Sequence, residues 1–182
     1  MPQHDTAGNH PVPRDAFIRA MRTVASSVTV VTTDGPAGRH GATVSAFSSV
    51  SADPPTTLIC LRTDSRIARA VSKNGNFCVN VLSRTNPEIA NRFAGCDDDR
   101  VRDRFDGIDF DDSSGAAPEI DGATIFSCVV EQVVTSGSHS IFVGRVAAVR
   151  GGMAEPLAYL DGAYHRVVPQ QATSGGTHRC RT

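Results

Sequence analysis

The sequence lacks a charge excess: 18 lysines and arginines stand against 19 aspartates and glutamates, a net charge of −1. No basic stripe interleaved with aromatics is present either, which argues against a nucleic-acid footprint, since such binding rests on neutralised phosphates. No apolar run is long enough to span a membrane as a helix. Met1 to Val12 has neither the basic head nor the apolar core of a secretory leader, so a cytoplasmic location is expected. The five cysteines form no C-x-x-C pair; Cys60, Cys78 and Cys128 sit in apolar, strand-like runs and read as reduced, buried thiols. The six histidines share no helix-face spacing, so no metal site is expected. G-x-S-x-G, a Walker loop and G-x-G-x-x-G are all missing, which closes the usual sequence routes to an activated serine or a nucleotide fold.

At 182 residues the chain is long enough for one domain with a real core. The organising stretch is Arg39–Pro55, R-H-G-A-T-V-S-A-F-S-S-V-S-A-D-P-P. It reads as one strand from Arg39 to Ser51. Ala42, Val44 and Ala46 would lie on a buried face, with Thr43, Ser45 and Phe47 on a face that can wall a ligand. Before it, Pro13 and Asp15 start a helix whose Phe17, Ile18, Met21 and Val24 form an amphipathic stripe, and Ser27–Thr33 is β-branched almost throughout. Asp34–Gly38 turns that strand into a hairpin with the Arg39 element. Thr57–Leu61, Phe77–Leu82, Ala123–Val134, His139–Arg150 and Leu157–Tyr164 supply further strands, the middle pair long and joined by Thr135–Ser138.

Two more helices are punctuated clearly. Asp64 or Ser65 caps one that Asn74-Gly75 ends, and Asn86-Pro87-Glu88 opens another that places Ile89 and Phe93 on one face before Ala94-Gly95. The first of these helix starts, flanked by Arg62 and Arg66, suits a phosphate. Cys96–Glu119 reads as a long ordered loop anchored by Phe105, Ile108 and Phe110. His139 follows a Gly-bearing turn and would point into a barrel mouth. Without regular β-α-β alternation, the order favours an antiparallel barrel flanked by helices, with a flexible arm over 1–12, one domain over 13–168 and a flexible tail over 169–182.

Taken in order, F-I-R-A-M-R-T-V-A-S-S-V-T-V-V-T-T, H-G-A-T-V-S-A-F-S-S-V-S-A-D-P-P, F-C-V-N-V-L, R-F-A-G, G-S-H-S-I-F-V-G-R-V and Y-L-D-G-A-Y-H resemble the short-chain flavin reductase family across Phe17–Val167. Members are reductase components of two-component flavin monooxygenases. The resemblance implies a mainly β fold of the FMN-binding split-barrel type and a homodimer. It also implies hydride transfer from NADH, or NADPH, to FMN or FAD, with reduced flavin passed to a separate monooxygenase. It would set His40, Gly41, Thr43, Val44, Ser45, Ser48, Ser49, Val50 and Ser51 against the flavin ring and ribityl chain. Cys60, Leu61 and Arg62 would meet the ring edge, and Ser65, Arg66 and Ile67 the phosphate. Phe93, Ala94 and Tyr164 would lie near the cofactor, and His139 would position the nicotinamide. The sequence departs from the family pattern at two places: Ser138 stands where an aspartate is usual, and Ser26-Ser27 replaces a Thr-Gly pair. The alternatives are a flavoprotein that keeps its flavin as an oxidase or quinone reductase, and a non-enzymatic flavin-binding redox module.

Overall fold

The run Thr29–Thr33 forms strand β2 and is buried along its whole length, as suits β-branched side chains on a packed sheet. In the computed structural model, which describes residues 11–113, 116–152 and 155–170, β2 lies between β3 (His40–Val44) and β6 (Asn76–Val81). From β6 the sheet continues through β9 (Thr124–Ser136), β10 (His139–Arg150) and β5 (Pro55–Arg62) to β4 (Phe47–Ala52), antiparallel throughout. Helices α1 (Arg14–Arg22), α2 (Arg66–Asn74) and α3 (Pro87–Ala94) flank it. Two small sheets complete the fold: β1 (Ser26–Ser27) with β11 (Leu157–Leu160) and β12 (Ala163–Arg166), and β7 (Phe110–Asp111) with β8 (Glu119–Ile120). The architecture is mainly β with few helices. Most of the expected N-terminal arm and C-terminal tail falls on residues 1–10 and 171–182, outside the described residues.

The stretch Arg39–Ser51, expected as one strand, is two. Ser45 and Ala46 interrupt it, because the Ala46 carbonyl accepts the Cys60 amide at 3.0 Å and draws the chain onto β5. The first piece, β3, pairs with β2, whereas the second, β4, pairs with β5. These two are the opposite edges of the seven-stranded sheet, so a two-residue link holds its edges together and the sheet must curl. The β-branched run before it is also divided, β1 pairing with β11 while β2 enters the large sheet.

Curling creates two apolar layers. Val31, Val44, Ile59, Leu61, Phe77 and Phe142 form one cluster, into which α2 inserts Ile67, Ala68 and Val71. Val30, Cys78, Leu82, Phe93, Phe105 and Ile120 form the other, under α3 and the 96–118 segment. Among the thiols, Cys78 and Cys128 are buried as expected, whereas Cys60 is only half-buried. Burial pushes the Cys78 thiol up to about 12, so it is no nucleophile at neutral pH. Helix α1 forms where Pro13 and Asp15 place its start and lies on the outside: it buries none of its residues, and Phe17 and Met21 remain 59% and 49% exposed.

Asn80 joins the layers and was not singled out by pattern. It is fully buried; its Nδ2 donates to the Val30 carbonyl at 3.0 Å and to Thr32 Oγ1 at 3.2 Å, while Oδ1 accepts the Ile120 amide at 2.7 Å. Thr32 Oγ1 in turn donates to the Pro118 carbonyl. Asn80→Ala leaves the Ile120 amide without its acceptor in an apolar setting, and should lower stability by about 3 kcal/mol. Urea unfolding checks this: the expected result is a lower midpoint with an unchanged m value.

Candidate functional site

Ser65 starts α2 by capping: its Oγ accepts the Ala68 amide at 3.2 Å and donates to the Arg62 carbonyl at 2.6 Å. The Arg66 and Ile67 amides precede Arg69, the first amide to donate within the helix, to the Ser65 carbonyl, so this helix start carries free donors and partial positive charge. Arg66 adds an exposed guanidinium, near enough to Asp98 to help Arg104 hold that carboxyl low. Arg62, expected to flank the spot as a free charge, does not. It forms a fork with Asp64, Nη2 to Oδ2 at 2.8 Å and Nε to Oδ1 at 3.2 Å. The hydrogen bond and charge of Arg62 hold the Asp64 carboxyl below its ordinary range.

His139 arrives at the same place by strand register. It is opposite Arg62 across the β10–β5 ladder, and the Thr63 amide donates to the Ser138 carbonyl at 3.0 Å. Successive strand residues face opposite ways, and the next pair, Ser140 with Leu61, is buried. His139 is therefore on the exposed face and not inside a barrel mouth, as the sequence had suggested. Its Nδ1 lies 3.0 Å from Ser138 Oγ. With that hydroxyl donating, Nδ1 is the acceptor and Nε2 carries the ring proton.

The β4 side brings hydroxyls. Ser45, Ser48, Ser49, Val50 and Ser51 are all exposed; Ser48 Oγ donates to the Ser49 carbonyl at 3.1 Å and Ser51 Oγ to the Asp53 carbonyl at 3.0 Å. Because Ala46 bonds to Cys60, Ser45 and the start of β4 lie beside Cys60–Arg62. Ser45, Cys60–Arg62, Ser65–Ile67 and His139 thus converge on the end of β5.

Other expected contacts are spent on packing. Val44, Leu61, Ile67 and Phe93 point their side chains into the core, so only their backbone atoms can meet a ligand. Thr43, expected on the ligand wall, donates its hydroxyl to the Ala90 carbonyl of α3 at 2.6 Å. Gly41 has the Phe93 ring against it: a Cβ there would sit 2.5 Å from Cε1, so glycine is required by the close approach of α3. His40 opens β3 half-buried, Ala94 is exposed at the end of α3, and Tyr164 donates to Asn91 Oδ1 at 2.8 Å. Burial raises the Tyr164 phenol. These residues form a second group around α3, linked to the first through Ser45. Asn91 was not singled out, since it acts through Tyr164, a partner that only the fold supplies; Ser138, noted as a departure from the family pattern, contacts its own neighbour His139. No cluster of potential metal ligands occurs among the described residues. A larger hollow of about 460 Å³, between Arg19 and Arg22 of α1 and the β11–β12 turn, holds none of the expected residues.

A family described as "Flavin reductase like domain" matches residues 21–168. The FMN reductase (NADH) RutF of Ancylobacter novellus is 38% identical over 158 residues, 86% of either chain. Among solved structures, the Streptomyces globisporus NADH:FAD oxidoreductase SgcE6, in complex with NAD and FAD fragments, superposes with a TM-score of 0.79 at 29% identity, covering 90% of this chain and 99% of its own. BorF, the flavin reductase component of a bacterial two-component tryptophan halogenase, gives 0.77 at 30% identity over 87% of this chain and 100% of its own.

The loop beside β3 has its own titration. Asp103 is held low first by the Phe105 amide and then by Arg39, 2.8 Å away, whose guanidinium also lies over the Phe105 and Phe110 rings. A carboxyl lowered on folding stabilises fully above its unfolded value and loses that contribution as pH falls through the lower folded value. The protection factors of the Phe105 and Ile108 amides should therefore fall below about pH 4, and Asp103→Asn should show the lower protection at all pH values.

Proposed function

Because the chain belongs to the flavin reductase like domain family, we propose that it is an NADH:flavin oxidoreductase. It takes FMN or FAD as a substrate, reduces it with NADH and hands it to a separate flavin-dependent monooxygenase. Flavin and reduced nicotinamide supply the redox chemistry between them as a hydride transfer, so the chain needs no nucleophile of its own. The observation that carries this reading is the convergence at the end of β5 of a capped helix start, the exposed Ser45 hydroxyl and an exposed imidazole.

The donor set suits a flavin phosphate and ring. The Arg66 and Ile67 amides with the Arg66 guanidinium hold the phosphate. Ser45, Ser48 and Ser49, with the backbone of Cys60–Arg62, hold the polar edge and side chain of the flavin, offering N–H and O–H donors where negative charge grows. His139 presents Nε2 to the nicotinamide carboxamide, and the Ser138 hydroxyl, 3.0 Å from Nδ1, orients the ring. Alignment is the main contribution such a site makes, because hydride passes only between atoms held at near contact.

The curled sheet, its edges tied by Ser45-Ala46, supports the split-barrel description. The exposed apolar surface supports a homodimer: Val50 on β4 is 52% exposed, and Val129 and Val134 on β9 are 41% and 42% exposed. A second copy laid across this face removes those valines from water and shields the site. A cytoplasmic location agrees with the need for NADH.

Purified protein should oxidise NADH only when free flavin is added, with saturation in flavin. Turnover without added flavin assigns a retained prosthetic group instead, and tight flavin binding without any NADH oxidation assigns a redox module. His139→Ala should lower kcat/KM for NADH about tenfold while flavin fluorescence quenching stays unchanged. Analytical ultracentrifugation should find a dimer, and Val134→Asp should shift it toward monomer.

A further inference from the structure

Next to the site at the end of β5, α2 and β10 enclose a groove of about 210 Å³. Arg69, Ser72 and Lys73 line it from the helix; Thr63 and Ser140 line it from the strand side, with Phe142 behind. The Thr63 and Ser140 hydroxyls are 3.0 Å apart and bond to one another. No carboxylate side chain is part of the lining. Asp64, next to Thr63, has its carboxylate occupied by Arg62. Arg69 Nη1 donates to the Asp64 carbonyl at 2.7 Å, which steadies the guanidinium and leaves most of its five N–H donors available. Lys73 is exposed and has no carboxylate partner among the described residues. Taken singly, Arg69 braces a loop and Lys73 complements the helix C-terminus. Neither role accounts for three hydroxyls and two cations facing one concavity.

The groove has a direction. Ser65, Arg69 and Lys73 lie on successive turns, so the two cations stand about 6 and 12 Å along the axis from the capped helix start. A dinucleotide anchored by its first phosphate at Arg66 and Ile67 holds its second phosphate, joined to the first through one oxygen, within reach of the long Arg69 side chain, and its sugar then lies toward Lys73. The volume is smaller than a whole drug-sized ligand requires and suits a phosphate with its sugar.

We propose that this groove is an anion subsite that takes the distal, adenylate phosphate of a dinucleotide whose other half occupies the end of β5. The proposal rests on the flavin reductase reading. Two dinucleotides carry the required chemistry, FAD and the reduced pyridine nucleotide, and the measurement separates them.

Arg69→Gln/Lys73→Gln is compared with the unaltered protein for the KM of FMN and of FAD at fixed NADH, and of NADH and NADPH at saturating FMN. A second variant, Ser72→Glu, places a negative charge in the groove without touching the Arg69 brace. A rise of about tenfold in the KM for FAD in both variants, with that for FMN unchanged, assigns the subsite to the flavin dinucleotide. A rise confined to NADH or NADPH assigns it to the pyridine nucleotide. Unchanged KM values for all four overturn the proposal, as does an equal rise for FMN and FAD, which would place the effect at the first phosphate. Inorganic pyrophosphate titrated into ¹⁵N-labelled protein provides an arm independent of turnover. Should the unaltered protein oxidise no NADH with any flavin, the flavin reductase reading fails. Shifts of the Arg69–Lys73 amides, lost in the double variant, then still support an anion subsite, and unmoved amides overturn it.

Discussion

A single hydrogen bond, from the Cys60 amide to the Ala46 carbonyl, fixes how the two edges of the large sheet meet. Strands β3 and β4 are consecutive in sequence yet lie at opposite ends of the strand order, and only two residues separate them. A flat seven-stranded sheet cannot satisfy that, because its edges would stand several strand spacings of about 4.8 Å apart. Curling is therefore imposed by connectivity. Twist and packing then decide only its extent.

Once curled, the sheet divides side chains between two apolar layers and one exposed rim. This division explains why so many residues near the site serve by backbone alone. Val44, Leu61 and Ile67 are core residues on the elements that border the end of β5, and their burial makes those elements rigid. Thr43 and Gly41 are drawn toward α3, one by a hydrogen bond and the other by a ring at close approach. The exposed hydroxyls of this stretch belong to Ser45 and β4, beyond the point where the chain changes edges.

Local signals were legible where one residue acts on its own neighbours. Ser65 as a cap, Pro87 at a helix start, and Gly75 and Gly95 with positive φ of 72° and 89° at helix ends all obey rules that sequence alone can apply. The β-branched run of β2 and the length of β10 were equally readable. The break at Ser45-Ala46 was not, because its cause is an amide fourteen residues away that an alternating pattern cannot reveal. Phe93 lies in a stretch that the family resemblance places beside the cofactor, yet its ring is core. A block match locates a segment without saying which way each side chain turns. Asn80 looked like one polar letter in an apolar strand, and its three partners lie on β2 and at β8. The Arg62–Asp64 fork was visible as two opposite charges two apart, but whether Arg62 stays free depends on the turn between them.

The replacement of the usual aspartate by Ser138 has an electrostatic consequence at this rim. Position 138 adjoins Thr63 through a backbone hydrogen bond and stands one register step from Arg62. A carboxylate there would add a second negative charge beside Asp64, close to the helix start proposed to receive a phosphate. Interactions between partly exposed charges at such separations amount to about 1 kcal/mol or more where solvent is excluded. The serine hydroxyl carries no charge but keeps a contact of 3.0 Å with Nδ1; because a hydroxyl can donate or accept, it orients the ring without selecting a tautomer. The charges that remain around the helix start are the Arg62–Asp64 pair, Arg66 and Arg104 around Asp98, and Arg69 and Lys73, an excess of positive charge that suits the dinucleotide proposed above.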